Sequence, residues 1–220
     1  MSSTVLYIDN NSLASIAVLL VVKSLGLKNI EIKEISVMKG KTRTPEFIAI
    51  NPQHTVPTLN DNGHILWESR AIMTYLVETR CPGHRLYPLN SKTKSVINQR
   101  LYFDACTVTP RLHELLLPLF FGTTSEISTE FQTKIYEMFG LMDAFLKDSK
   151  WIAGNDVTVA DLSILTTITG FVEIGVGLDK YPNVKRWLEQ CKKLPGFEDY
   201  HKGMLAWCDM IKPKITKGFE

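Results

Sequence analysis

Residues 51–70 read Asn51-Pro-Gln-His-Thr-Val-Pro-Thr-Leu-Asn60 and then Asp61-Asn-Gly-His-Ile-Leu-Trp-Glu-Ser-Arg70. Two apolar runs, Val56 to Leu59 and Ile65 to Trp67, flank Asp61-Asn62-Gly63, a strong hairpin signal. The Val56–Pro57 bond is of the kind that adopts cis in some folded proteins. A cis bond there turns the backbone N–H and C=O of Val56 outward, where they can pair with a short peptide as an added strand would. Ser69 stands where a helix begins, and the free N–H groups of a helix N-terminus bind carboxylates. His54 and Arg70 add hydrogen-bond donors. In this order the features suit a small peptide with more than one carboxylate. Each alone reads equally well as a turn or an ordinary helix cap.

Upstream, strand and helix signals alternate. Val5 to Ile8 reads as a buried strand, Ser12 to Leu25 as a helix with Ser12 near its N-cap, and Ile30 to Lys33 as an alternating strand. A polar loop over Gly40 to Thr44, a short helix at Pro45 to Ile48, the hairpin, and a helix over Ser69 to Thr79 follow. The order is βαβαββα, an α/β sandwich over residues 1–80. Residues 81–90, with Pro82-Gly83 and Pro88, read as a linker. Strand signals then stop. Helical periodicity covers Ser91 to Phe121, Glu130 to Leu146, Val159 to Phe171, Asn183 to Lys192 and Phe197 to Met210, giving an all-α domain over 91–220. Thr158-Val-Ala-Asp161 reads as a reciprocal N-terminal cap, and Lys212 to Lys217 as a mobile tail.

Bulk composition excludes several functions. The 220 residues carry a net charge of +2 and no basic stripe, which argues against nucleic acid as a partner. The apolar run Ile16 to Val22 is too short to span a membrane and lacks the basic flank of a signal peptide, so it reads as a buried helix. Cys81, Cys106, Cys191 and Cys208 are widely spaced with no Cys/His cluster. No metal is expected, and four free thiols fit a reducing cytoplasm.

The ordered set Asn51 to Leu59, Glu68-Ser-Arg-Ala-Ile72 and Thr158-x-x-Asp161 resembles the cytosolic glutathione transferases over nearly the whole chain. Pro-Gln-His with Glu-Ser-Arg-Ala-Ile is most similar to the insect delta and epsilon classes, and Leu119-Phe-Phe-Gly122 leans towards epsilon. The resemblance implies an N-terminal thioredoxin-like domain, a helical C-terminal domain and a homodimer. It implies glutathione as co-substrate and a small hydrophobic electrophile as the second substrate, in detoxification, with reduction of organic hydroperoxides as a variant. Carried over by motif, His54 meets the glycyl end of glutathione. Val56, between Thr55 and Pro57, pairs with its cysteinyl backbone. Glu68 and Ser69 hold the γ-glutamyl group with Arg70 beside them, and Asp104 supports that end of the site.

A glutathione thiol is a poor nucleophile until ionised. A hydroxyl at a helix N-terminus stabilises the thiolate by a hydrogen bond and through the helix dipole. Ser12 aligns with the family's catalytic serine. The chain departs from the family here, since Ser12-Leu-Ala-Ser-Ile16 lacks the usual Ser-x-Pro-x-Arg and Asn10-Asn11 replaces Pro-Gly. Ser15, Tyr7 or the helix end alone therefore stay open as activators. A protein that binds glutathione and carries hydrophobic ligands without catalysis is the alternative function. Thr42 stands where relatives often carry a second histidine, and Lys41 or Arg43 are candidates to compensate. For the second substrate, the i, i+4 face of the long helix nominates Val108, Leu112, His113, Leu116 and Phe120, with Met204 and Trp207 closing the pocket.

Overall fold

The computed structural model describes residues 4–219. Strand β1 (Thr4–Ile8) leads into helix α1 (Leu13–Ser24), and β2 (Ile30–Glu34) returns parallel to β1. After a 3-10 turn (Lys41–Arg43) and helix α2 (Pro45–Ile50), β3 (Thr58–Asp61) and β4 (His64–Trp67) form the expected hairpin, and helix α3 (Ser69–Arg80) follows. Asn62 and Gly63 close the hairpin with φ of 55° and 91°, the left-handed pair that a two-residue loop of this twist requires. The sheet order is β2-β1-β3-β4, with β3 antiparallel to β1. This is the thioredoxin-like βαβαββα arrangement.

The alternation in Ile30 to Lys33 does not mark a half-buried face. β2 is an edge strand, and Glu31, Ile32, Lys33 and Glu34 are all exposed. Its charges oppose pairing with another chain. Helix α1, by contrast, buries Ala17, Val18, Leu20, Val21 and Val22, packed against α3 and against the helical domain. An apolar run on nearly all sides is what a helix between two layers needs.

The helical domain comprises α4 (Ser91–Phe103), α5 (Thr109–Phe121), α6 (Thr129–Leu146), α7 (Val159–Ile174), α8 (Pro182–Cys191) and α9 (Phe197–Ile211). The single helix expected over 91–121 is divided by a π-turn at Asp104–Val108. The turn widens just before Pro110, which offers no N–H to the carbonyl four residues back. α7 is buried along nearly its whole length and forms the axis of the domain. Its first turn has the expected capping box, and Asp161 does more than cap. Its carboxylate accepts from Thr158 N (2.8 Å) and Oγ1 (3.0 Å), Ile152 N (2.8 Å) and Trp187 Nε1 (2.9 Å), joining α7 to α8 and the preceding loop.

Two loosely drawn segments are firmly attached. Within 81–90, Leu86 and Tyr87 are buried, and the Leu86 carbonyl accepts from Val159 N at 2.9 Å. The expected mobile tail is a strap: Thr216 N donates to Ser125 O (2.8 Å), and Lys217 O accepts from Ile127 N (2.9 Å). Lysine content suggested solvation, but the backbone of this segment finds partners on the loop before α6.

The sheet is locked to α3 through Asp61. Its carboxylate accepts from Thr4 Oγ1 (2.8 Å), Tyr75 Oη (2.7 Å) and Arg80 Nη2 (2.6 Å). Burial opposes ionisation here, but the bonds from Tyr75, Thr4 and Arg80 prevail and hold the pKa below its ordinary 3.8. A carboxyl whose pKa is lowered by folding stabilises the fold above its unfolded pKa, and that contribution is lost as pH falls through the folded value. Below about pH 4, urea stability is therefore expected to fall more steeply for the wild type than for Asp61→Asn. Parallel pH dependences in the two proteins would refute this role.

Candidate functional site

A cavity of about 590 Å³ opens between the two domains. One wall comes from the loop after β1, the start of α1, the 3-10 turn, the 54–56 segment and the start of α3. The other comes from the π-turn, α5, α7 and α9.

Asp9 builds the loop at the head of α1. It is buried, and its Oδ1 accepts from Asn11 N (2.8 Å) while its Oδ2 accepts from Val37 N (2.7 Å). Its carbonyl accepts from Ser12 N at 2.9 Å. Ser12 is thereby held as the N-cap of α1, its Oγ accepting from Ser15 N at 3.3 Å. An N-cap oxygen used as acceptor keeps its own proton for another partner. Ser12 lines the cavity; Tyr7 and Ser15 do not. Tyr7 packs edge-on against Phe47 at 5.7 Å. Ser15 is fully buried, with its Oγ accepting from Asp9 N at 3.3 Å.

The 51–58 segment is held from behind by Asn51. This buried amide donates to Thr55 O (3.1 Å), Thr55 Oγ1 (3.2 Å) and Thr58 Oγ1 (2.9 Å), while its oxygen accepts from Gln53 N (2.9 Å). His54, Thr55 and Val56 face the cavity, with the Val56–Pro57 peptide cis and Pro57 buried behind it. Neither Asn51 nor Asp9 has a role assigned from the sequence. Both are turn-forming residues beside a site, and only the fold shows that they hold it.

At the start of α3, Ser69 and Arg70 line the cavity. Glu68 is exposed, lies outside the wall and has φ of 72°, a conformation that costs a non-glycine residue about 1–3 kcal/mol. Arg70, expected as a donor to ligand, is engaged elsewhere. Its Nε and Nη2 donate to Asp104 Oδ2 (3.2 and 2.7 Å), and Nη2 also reaches Thr109 Oγ1 (2.8 Å). Asp104 is fully buried and also accepts from Ser163 and Thr167 on α7. Of the flanking cations, Arg43 lines the cavity without an ion pair among the described residues, whereas Lys41 stays outside the wall. Thr42 is in the wall and nearly fully buried.

On the helical side, His113, Leu116, Met204 and Trp207 line the cavity as expected. Val108, Leu112 and Phe120 do not. Val108 and Leu112 are fully buried in the core, and Phe120 stacks behind Trp207 at 4.7 Å. Within α5 the cavity face runs through Thr109, His113, Leu116 and Leu117, while Leu112, Leu115 and Leu119 face the core. His113 keeps a solvent-exposed edge, and partial desolvation, then the charge of Arg70, lower its imidazole pKa from the ordinary 6.5. Thr166, Thr167 and Tyr200, also in the wall, carried no signal in the sequence beyond helical periodicity.

Comparison with known proteins agrees with this architecture. The family model described as the glutathione S-transferase N-terminal domain matches residues 3–78, and that of the C-terminal domain matches residues 108–195. The chain is 43% identical to glutathione S-transferase D7 of Drosophila melanogaster over 187 residues, covering 84% of this chain and 83% of that one. An epsilon-class glutathione S-transferase structure from the housefly, Musca domestica, superposes with a TM-score of 0.90 at 35% identity, over 96% of this chain and 98% of the other. A glutathione transferase homologue from Drosophila mojavensis, solved with bound glutathione, gives 0.91 at 30% identity, over 99% and 100%.

The pair Arg70–Asp104 bridges the domains from a fully buried carboxylate. Removing one partner of such a pair leaves an uncompensated charge and costs about 3–5 kcal/mol. Asp104→Ala is expected near the lower end, because Arg70 keeps some solvent, and Arg70→Met with Asp104→Leu should recover most of the loss. Chemical denaturation of the three proteins tests this; a double variant no better than Asp104→Ala would contradict it.

Proposed function

We propose, from the premise that this chain belongs to the glutathione S-transferase family, that Ser12 activates the glutathione thiol in the interdomain cavity. Membership makes the chain a glutathione transferase; which of its residues bind and activate is the proposal. The observation that carries it is the position of Ser12. Of the three candidate hydroxyls, it alone faces the cavity, at the N-terminus of α1, with its oxygen already accepting from Ser15 N and its proton available.

In this reading the backbone of Val56 pairs with the cysteinyl residue, and the free N–H groups at Ser69 and Arg70 receive the γ-glutamyl carboxylate. His54 and Arg43 meet the glycyl carboxylate. Glu68 is assigned the γ-glutamyl ammonium on family resemblance alone, since it stands outside the wall. Thr55 and Pro57 fix the loop, while Asp104 and Arg70 position the start of α3. The sulfur then sits between Ser12 and the apolar wall of Ile16, Leu116, Leu117 and Met204. There the thiolate attacks an electrophilic carbon of a hydrophobic substrate, and the leaving group departs with the electron pair. Detoxification in the cytoplasm as a homodimer, and reduction of organic hydroperoxides by the same thiolate, complete the proposal.

A hydrogen bond to a charged acceptor contributes about 1.5–3 kcal/mol, which is about one to two units of thiol pKa. The thiolate absorbance of bound glutathione should titrate well below about 8.5 in wild type and about one to two units higher in Ser12→Ala. An unshifted thiol in the wild type would favour the carrier. A depressed pKa indifferent to the substitution would move the role to the helix end alone.

Arg43 is a solvent-exposed cation at the cavity wall, so its bond to a carboxylate is screened. Calorimetry is expected to show Arg43→Ala weakening glutathione binding about fivefold, from about 1 kcal/mol, and Lys41→Ala leaving it unchanged. Equal effects of the two would remove Arg43 from the site.

A further inference from the structure

Helix α9 turns the face Tyr200, Gly203, Met204 and Trp207 to the cavity, the i, i+3, i+4, i+7 stripe of a single helix side. Three of these positions carry large side chains and one carries none. Glycine inside a helix is unfavourable relative to alanine, so its presence calls for a reason. Two common reasons are missing at Gly203. Its φ is not in the left-handed region, and a Cβ built on it meets nothing within 4 Å. Gly170 on α7 shows the contrast: a Cβ there would approach Leu112 at 3.1 Å, so that glycine is needed for packing.

The neighbours of Gly203 cannot shift to fill the gap. Trp207 is held by its stack on Phe120, 4.7 Å away at 23°. Met204 and Tyr200 are buried, and the Tyr200 hydroxyl donates to Thr166 O at 2.6 Å. The stripe therefore leaves a notch at Gly203, a solvent-exposed position in the cavity wall.

We infer that Gly203 is a specificity-determining residue: its missing side chain keeps the electrophile side of the cavity wide enough for bulky, ring-containing second substrates. This rests on the glutathione-transferase reading and adds which electrophiles the cavity admits.

The test uses two glutathione thioethers as binding probes, S-methylglutathione and the wide S-(9-anthracenylmethyl)glutathione, measured by calorimetry. Wild type, Gly203→Ala, Gly203→Leu and Gly140→Ala are compared. Gly140 lies on α6, outside the cavity wall, and a Cβ there also meets nothing within 4 Å. Both alanine variants are expected to raise Tm by about 2–4 °C, the usual effect of relieving a helix-interior glycine in a chain of this size. Gly203→Leu is expected to lower affinity for the wide probe relative to the slim one by about tenfold or more; Gly140→Ala is expected to leave that ratio alone. A Gly203→Ala protein that melts lower than wild type would show that the glycine serves the fold, overturning the inference. So would a Gly203→Leu protein whose two affinities fall together or not at all. If neither probe binds wild type, the glutathione reading itself fails, and the notch with it.

Discussion

The carboxylate of Asp104 is the point at which the two domains become one site. It lies in the π-turn, fully buried, and accepts from Arg70 on α3, Thr109 on α5, and Ser163 and Thr167 on α7. A charge in that position is tolerable only because every lone pair has a donor. The consequence is geometric: the N-terminal end of α3, which faces the cavity, is fixed relative to α7, the axis of the helical domain. Arg70 is thus a strut that holds the backbone N–H groups at the start of α3 in place.

The same π-turn explains what the sequence could and could not disclose. Period-3.6 patterning identified the helices of the C-terminal domain to within a few residues, because a buried face requires apolar side chains at that spacing. It could not reveal a locally widened turn, since the φ and ψ of a π-turn differ little from those of its flanks. Nor does an apolar stripe say which side of α5 meets the core: Val108, Leu112, Leu115 and Leu119 do, while Thr109, His113, Leu116 and Leu117 meet the cavity. The hairpin, by contrast, was fully legible: Asn62-Gly63 satisfies a backbone demand that few other pairs meet. The strap at Ser125 and Thr216 was invisible because it is made by backbone groups, which every residue has.

The loop at the head of α1 departs most from the family pattern, yet it is closed by local chemistry. Asp9 supplies the acceptors that fix Asn11, Val37 and Ser12, while the Asn51 amide donates to Thr55 O and Thr58 Oγ1. Asn51 acts from behind the cavity wall, whereas Asp9 is part of it. A buried polar side chain that satisfies several loop N–H or C=O groups makes the loop rigid at the cost of its own desolvation. Rigidity of this kind is what a hydroxyl needs if its proton is to meet a thiolate without reorganisation.

The lost arginine and proline in the first turn of α1 change how that thiolate would be held. Residues 13–16 are Leu, Ala, Ser and Ile, with no acidic side chain in the turn, and the helix's basic residue, Lys23, is at the far end, paired with Asp199. The first turn of α1 itself therefore carries no charged side chain; the nearest carboxylate is Asp9, in the loop before it and bonded to Asn11 and Val37. Leu13, Ala14 and Ile16 give the cavity wall beside Ser12 an apolar lining, and the exclusion of water that such a lining favours would strengthen both the dipole and a Ser12 hydrogen bond to sulfur. The same exclusion penalises the free thiolate, so the net gain depends on both donors reaching the sulfur together. If Ser12 is the activator, the nucleophile's pKa is tied to the geometry of one loop, which Asp9 holds through Asn11, Val37 and Ser12.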